Sequence, residues 1–181
     1  MTMEYAAGHE SASFNGEPIL YISCGVPGSG KTTFLNEHYA PNEVVISRDE
    51  IRFSLLEPGE DYFHKEDKVF DLFVDKIIYN LMQGKNVYAD ATHLNRSSRN
   101  KLIWTIDCRK PGLLSHIESI FFNVPIDICL ERNEFRKDTK AYVPRGVIRR
   151  MYNQLEEPNP TREEFKHGWV VDKNGIVSKS F

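Results

Sequence analysis

Two periods of apolar and polar positions alternate along this chain. Ile19-Leu-Tyr-Ile-Ser-Cys24 is an apolar run of strand length that breaks into glycines, and a helical segment from Thr33 to Tyr39 follows until Pro41-Asn42 ends it. Glu43-Val-Val-Ile46 reads as a short buried strand, and Ser47-Arg48-Asp49-Glu50-Ile51-Arg52 as the helix start behind it. Leu56 to Tyr62 is a Pro-Gly loop. From His64 to Met82 the apolar residues Val69, Phe70, Phe73, Ile77 and Leu81 recur at helical spacing. Asp67, Asp71 and Asp75 form a second row beside them, which reads as a solvated face rather than a metal array. Gly84 stops that helix. Asn86 to Ala91 is a third strand, Arg96 to Asp107 a helix, and Ile117 to Val124 a fourth strand that puts Phe121 and Phe122 in the core. Pro125 opens a further helix, Val143-Pro144 opens another that runs to about Leu155, and Trp169 to Asp172 is the last strand.

Strands that alternate with helices through short loops imply an α/β fold of three layers: a parallel sheet with helices on both faces. Residues 1–17 mix Ala, Gly, Ser, Glu and Asn without a period and read as a flexible arm ahead of a single domain over residues 18–181. Every polar motif follows the end of a strand, so the motifs converge on one rim, the place where open parallel sheets bind ligands.

Composition narrows the picture only a little. With 181 residues and a formal charge of −3, there is no global attraction to nucleic acid, and any such contact needs a local patch. One exists: Arg132 to Arg150 holds seven Lys or Arg against Glu134 and Asp138, a local charge of +5. Two helices joined by a short loop in that position read as a mobile lid over about residues 132–147, with a plain solvated face as the alternative. Cys24, Cys108 and Cys129 form no C-x-x-C pair, which points to reduced thiols in a cytoplasmic setting, with Cys24 a small buried residue. No apolar run reaches the roughly 20 residues that span a bilayer, so no membrane partner is expected.

The chemistry centres on Gly25-Val-Pro27-Gly28-Ser29-Gly30-Lys31-Thr32-Thr33, a G-x-x-x-x-G-K-[ST] phosphate loop in its required strand-loop-helix context. Glycines let successive N–H groups point inward, and the next helix adds its positive end. Lys31 is expected to reach the terminal phosphates of a bound nucleotide, and the Thr32 hydroxyl stands where a Mg²⁺ ligand is needed. Asp49, at a strand end on the same rim, is the candidate general base, and capping the following helix is its alternative role. Arg52 lies three residues on and can bind an acidic group of the acceptor. Arg132 and Arg136 are placed to neutralise charge developing on the donor.

The Gly25–Thr33 loop, Ser47-Arg48-Asp49-Glu50-Ile51-Arg52, Asp90-Ala-Thr92-His93-Leu94-Asn95, and Arg132-Asn133 with Arg136 before Thr139-Lys140 and Val143-Pro144 together resemble the kinase domain of phage-type polynucleotide 5′-hydroxyl kinases. The likeness covers residues 18–157 in the same order. It implies a P-loop kinase fold like that of adenylate kinase, with a short helical lid, transferring the γ-phosphate of ATP to a 5′-hydroxyl end of DNA or RNA. It also implies Asp49 as base, Arg48 and Arg52 on the acceptor, Arg132 and Arg136 on the donor, and Asp90 and Thr92 lining the acceptor channel. No D-x-D-G-T phosphatase motif is present, and His93 replaces the first Asn of Thr-Asn-Leu-Asn. His93 reads as a polar wall residue. A kinase of a small metabolite, nucleotide sugar or aminoacyl-tRNA, and a nucleotide-binding regulatory module without kinase activity, are the alternative functions.

Overall fold

The computed structural model describes residues 16–38, 40–57, 59–60 and 64–181. The expected N-terminal arm lies outside them except for Gly16 and Glu17, as do Tyr39 and part of the Leu56 to Tyr62 loop. The elements run β1 (Ile19–Cys24), α1 (Lys31–His38), β2 (Glu43–Ser47), α2 (Arg48–Leu55), α3 (Glu66–Met82), β3 (Asn86–Asp90), α4 (Arg96–Arg109), β4 (His116–Phe122), α5 (Ile126–Glu134), α6 (Arg145–Asn153), β5 (His167–Val171) and β6 (Val177–Lys179). The sheet order is β2-β3-β1-β4-β5-β6. The first five strands are parallel, and β6 returns antiparallel to β5.

That antiparallel sixth strand departs from the expected all-parallel sheet ending near Asp172. The Asp172 carboxylate accepts the backbone N–H groups of Asn174 and Ile176, both at 2.8 Å, and Gly175 adopts φ +79°. The Asn174-Gly175 pair thus turns the chain back as a hairpin, a local signal carried by the sequence itself.

β1 is buried along all six residues because it pairs on both sides and packs on both faces. Leu20, Ile22 and Cys24 enter one core with Phe73, Val74 and Ile77 of α3 and Leu102 and Ile106 of α4. Ile19 and Tyr21 enter the opposite core, with Leu35 of α1 and Phe122. The two clusters make the three layers. Each fully buried aliphatic or aromatic side chain contributes about 1.5–3 kcal/mol. A third cluster, Val26, Val124, Cys129, Leu130 and Ile148, seats α5 and α6 beside the phosphate loop.

β2 is half-buried rather than buried over Glu43 to Val45, because it forms an edge of the sheet. Phe70 is also only partly buried; the guanidinium of Arg48 and the ammonium of Lys101 stand over its ring at 5.2 and 4.6 Å. Asp67, Asp71 and Asp75 are exposed, and the last two bind Arg109 at 2.5 and 2.8 Å. All three cysteines are free, with Cys24 and Cys129 buried. Among the described residues no helix is long and apolar enough to cross a membrane.

Candidate active site

The phosphate loop leaves the carboxyl end of β1 and closes on itself. Ser29 N–H donates to Val26 O at 3.2 Å, and Phe34 N–H to Gly30 O at 2.9 Å, which carries the chain into α1. Ser29 is buried, Pro27 half-buried, and Thr32 and Thr33 are exposed on the first turn of α1. Lys31 is buried and donates to the carbonyls of Gly25 and Val26, each at 2.9 Å. Burial pulls its pKa down; the charges of Asp90 and Asp49 oppose that, and Arg136 adds to it. Asp49, Asp90 and Arg136 therefore all act electrostatically on the lysine of the loop.

Gly28 shows why this loop needs glycine. Its φ is +82°, and a Cβ built there would lie 2.2 Å from the carbonyl oxygen of Cys129 in α5. The loop is thus packed against the helix that carries Arg132. Arg132 reaches back to it, donating to Ser29 O at 3.5 Å and to Lys173 O at 2.8 Å. Arg136 is half-buried one turn further on.

Asn133 was not a sequence candidate, and it closes the base of this helical pair. Its buried side chain donates to Val143 O at 2.8 Å and accepts from Val143 N–H at 3.1 Å, so residues 134–142 leave and return at one point. Its neighbour on the loop, Phe135, is exposed.

Thr32 Oγ1 donates to Asp90 Oδ2 at 2.6 Å across 58 residues of sequence. The end of β3 is therefore in contact with the first turn of α1. Burial raises the Asp90 pKa, with Lys31 and the Thr32 bond working against it. A hydroxyl and a carboxylate side by side are hard oxygen donors, the set that suits Mg²⁺.

At the end of β2, Ser47 caps α2 by accepting the Glu50 N–H at 3.3 Å, so the capping role falls to Ser47 rather than to Asp49. The Asp49 side chain is 62% exposed and pairs with Arg52, which is 6% exposed. Glu66, in the first turn of α3, completes the arrangement. It accepts from Arg52 at 2.7 and 3.3 Å and from Arg48 through its other oxygen. Sequence reasoning missed Glu66 because nothing local distinguishes it from the other acids of that helix.

Thr92 is half-buried, and its carbonyl accepts the Gly25 N–H at 2.9 Å, stitching the β3–α4 connection to the phosphate loop. His93 is 5% exposed, at φ +37°, with Nδ1 2.8 Å from Ser23 O. A carbonyl only accepts, so that nitrogen carries the proton. Burial pulls the imidazole pKa down to about 4; the Ser23 bond opposes this, while Arg48, Arg99 and Lys31 reinforce it. His93 is a neutral, buried part of the scaffold, a deeper position than a wall residue. Behind it, Arg99 is fully buried and bidentate to Glu163 at 2.7 and 2.8 Å, and donates to the carbonyls of His93 and Glu156.

The family described as AAA domain matches residues 20–158, which includes every element from the phosphate loop to α6. The chain belongs to that family. Among solved structures, a chain of the Pnkp1/Rnl/Hen1 RNA repair complex is 24% identical with TM-score 0.63, over 91% of this chain and 49% of that one. Kti12 of Chaetomium thermophilum, in complex with ADP-AlF3, is 18% identical with TM-score 0.59 over 84% and 88%. A gluconokinase of Sinorhizobium meliloti is 21% identical with TM-score 0.54 over 86% and 82%. This chain spans about half the length of the RNA repair chain it matches. The fold is that of a P-loop kinase, and the loop is a nucleotide-binding one.

Proposed function

We propose that this protein is an ATP-dependent kinase that transfers the γ-phosphate to a 5′-hydroxyl end of DNA or RNA. The observation that carries the reading is the pairing at the end of β2. Asp49 is exposed toward the rim yet held by the buried Arg52, which is in turn anchored by Glu66. A switch that only binds nucleotide needs no such exposed, oriented carboxylate. The resemblance to polynucleotide 5′-hydroxyl kinases supports the nucleic-acid acceptor, as does the likeness to a chain from an RNA repair complex and to a fungal RNA kinase of TM-score 0.58.

In this reading the loop N–H groups and Lys31 hold the β- and γ-phosphates of ATP. Thr32 and Asp90 fit Mg²⁺, which when bound neutralises charge on the phosphate oxygens. Asp90 is thus assigned to the metal side of the site rather than to the acceptor channel. Asp49 accepts the proton of the 5′-hydroxyl as its oxygen bonds to the γ-phosphorus and the bond to the β–γ bridging oxygen breaks, releasing ADP. Arg132 and Arg136 close over the transferring group. Arg52 positions Asp49 first; to hold an acceptor phosphate as well, it must exchange Glu66 for that phosphate.

The test incubates the protein with labelled ATP, Mg²⁺ and 5′-hydroxyl oligonucleotides of DNA and RNA, single-stranded and duplex, beside gluconate, other sugars and nucleosides. Label on an oligonucleotide end, lost in Asp49→Asn with ATP binding retained, is the expected result. Label on a small molecule alone would replace this reading with that of a metabolite kinase, and binding without any transfer would replace it with a regulatory module.

A further inference from the structure

Among the described residues, one group of metal-ligating side chains lies away from the rim. His116 and Glu118 are two apart on β4 and so share a face of the sheet. His167 opens β5 directly beside Glu118 in the parallel register. The ligand atoms of the three side chains all lie within 4.8 Å of one another, and His116 Nε2 is 2.8 Å from Glu118 Oε1. The two imidazole rings have centroids 5.9 Å apart and are tilted by 54°. His116 and Glu118 are 4% and 5% exposed, and His167 is half-buried.

We propose that His116, Glu118 and His167 form a binding site for a Zn²⁺-class divalent ion that clamps β4 to β5. Two imidazoles and one carboxylate are a ligand set that suits Zn²⁺, Co²⁺ or Ni²⁺, whereas Mg²⁺ and Ca²⁺ prefer oxygen alone. Bonds of about 2.0–2.2 Å put tetrahedral ligand atoms about 3.3–3.5 Å apart, so the observed spacings need shifts of about 1 Å, within reach of small side-chain rotations. The second shell is in place. Trp169 Nε1 donates to Glu118 Oε2 at 2.6 Å, which turns the other carboxylate oxygen toward the histidines. The site lies at the amino ends of the strands. β4 is seven residues long with His116 first and Glu118 third, so the ligands lie about 13–20 Å along the strands from the phosphate loop and the ion serves the scaffold, not the transfer of phosphate.

The experiment uses the full chain, stripped with chelator and free of nucleotide. Zn²⁺ is titrated in competition with a chromophoric chelator, and Co²⁺ is followed by its visible absorption. One ion per chain, a tetrahedral Co²⁺ spectrum and no competition from Mg²⁺ are expected. At Zn²⁺ one hundred times its dissociation constant the melting temperature rises by about 5–10 °C. His167→Ala, at the half-buried position, and His116→Gln each weaken binding at least about tenfold and abolish that rise. Failure of the wild-type chain to bind, or binding that both variants leave unchanged, overturns the site and leaves His116 and Glu118 as a buried pair. Neither readout depends on kinase activity, so this proposal and the kinase reading stand or fall apart.

Discussion

Gly28→Ala tests the packing between the phosphate loop and α5. Two costs combine at this position. The φ of +82° is one that an L side chain tolerates poorly, which costs about 1 kcal/mol. The new Cβ also meets the Cys129 carbonyl oxygen at 2.2 Å and its carbon at 3.0 Å, and both are helix backbone that no rotamer change can move aside. Overpacking of this kind costs about 1–3 kcal/mol. The sum, about 2–4 kcal/mol, corresponds to a fall in melting temperature of about 5–15 °C for a chain of this size. Gly112 supplies the control, with φ +76° and nothing within 4 Å of its Cβ, so Gly112→Ala carries the dihedral cost alone. Thermal unfolding and nucleotide titration of both variants separate the terms. Gly28→Ala is expected to lose the larger stability increment and at least about tenfold in ATP affinity, because the loop N–H groups can no longer face inward while α5 stays seated. Equal destabilisation of the two variants, with ATP binding intact in Gly28→Ala, would refute the claim that α5 and the loop are one packed unit.

Glu66→Gln keeps the side-chain shape but removes the charge shared by Arg48 and Arg52; since Glu66 is 31% exposed, the stability cost is held to about 1–2 kcal/mol. Its larger effect is expected in steady-state kinetics, where phosphate transfer drops at least about tenfold while ATP binding stays within about twofold. His93 governs part of the acid limb of stability: its folded pKa lies near 4 against an ordinary 6.5, so the unfolded chain binds a proton that the folded chain excludes between those values. Its contribution is complete above pH 6.5 and falls with pH, by about 2 kcal/mol at pH 5. His93→Asn, a residue that tolerates the +37° φ, is expected to flatten that part of a denaturant-derived stability profile between pH 7 and 5. Glu163→Leu strands the fully buried Arg99 and costs about 3–5 kcal/mol in denaturant unfolding, and adding Arg99→Met recovers a large part of it.

What could be read from the sequence is what local geometry controls. The break of Ile19–Cys24 into Gly25–Thr33 carries its own strand, turn and helix start, and the order of strands and helices follows from the switch between two periods. The helix at Ser47 was legible because a cap acts over three residues. The hairpin at Asn174-Gly175 was equally local and was available from the dipeptide, although the three-residue β6 behind it is too short to show a period.

Tertiary structure decided the contacts between elements far apart in the chain. Thr32 meets Asp90 only because β1 and β3 are neighbours in the sheet, a contact between residues 58 apart that no local pattern announces. Glu66 reaches Arg52 because α3 packs on α2, and an acid in the first turn of a helix has no sequence feature that names its partner. The need for glycine at position 28 likewise depends on a carbonyl 101 residues later, Cys129, since steric exclusion is a property of where two backbones meet. His93 shows the same division. Its replacement of Asn was visible in the chain, but its burial and neutral state depend on the carbonyl of Ser23 and the packing around it.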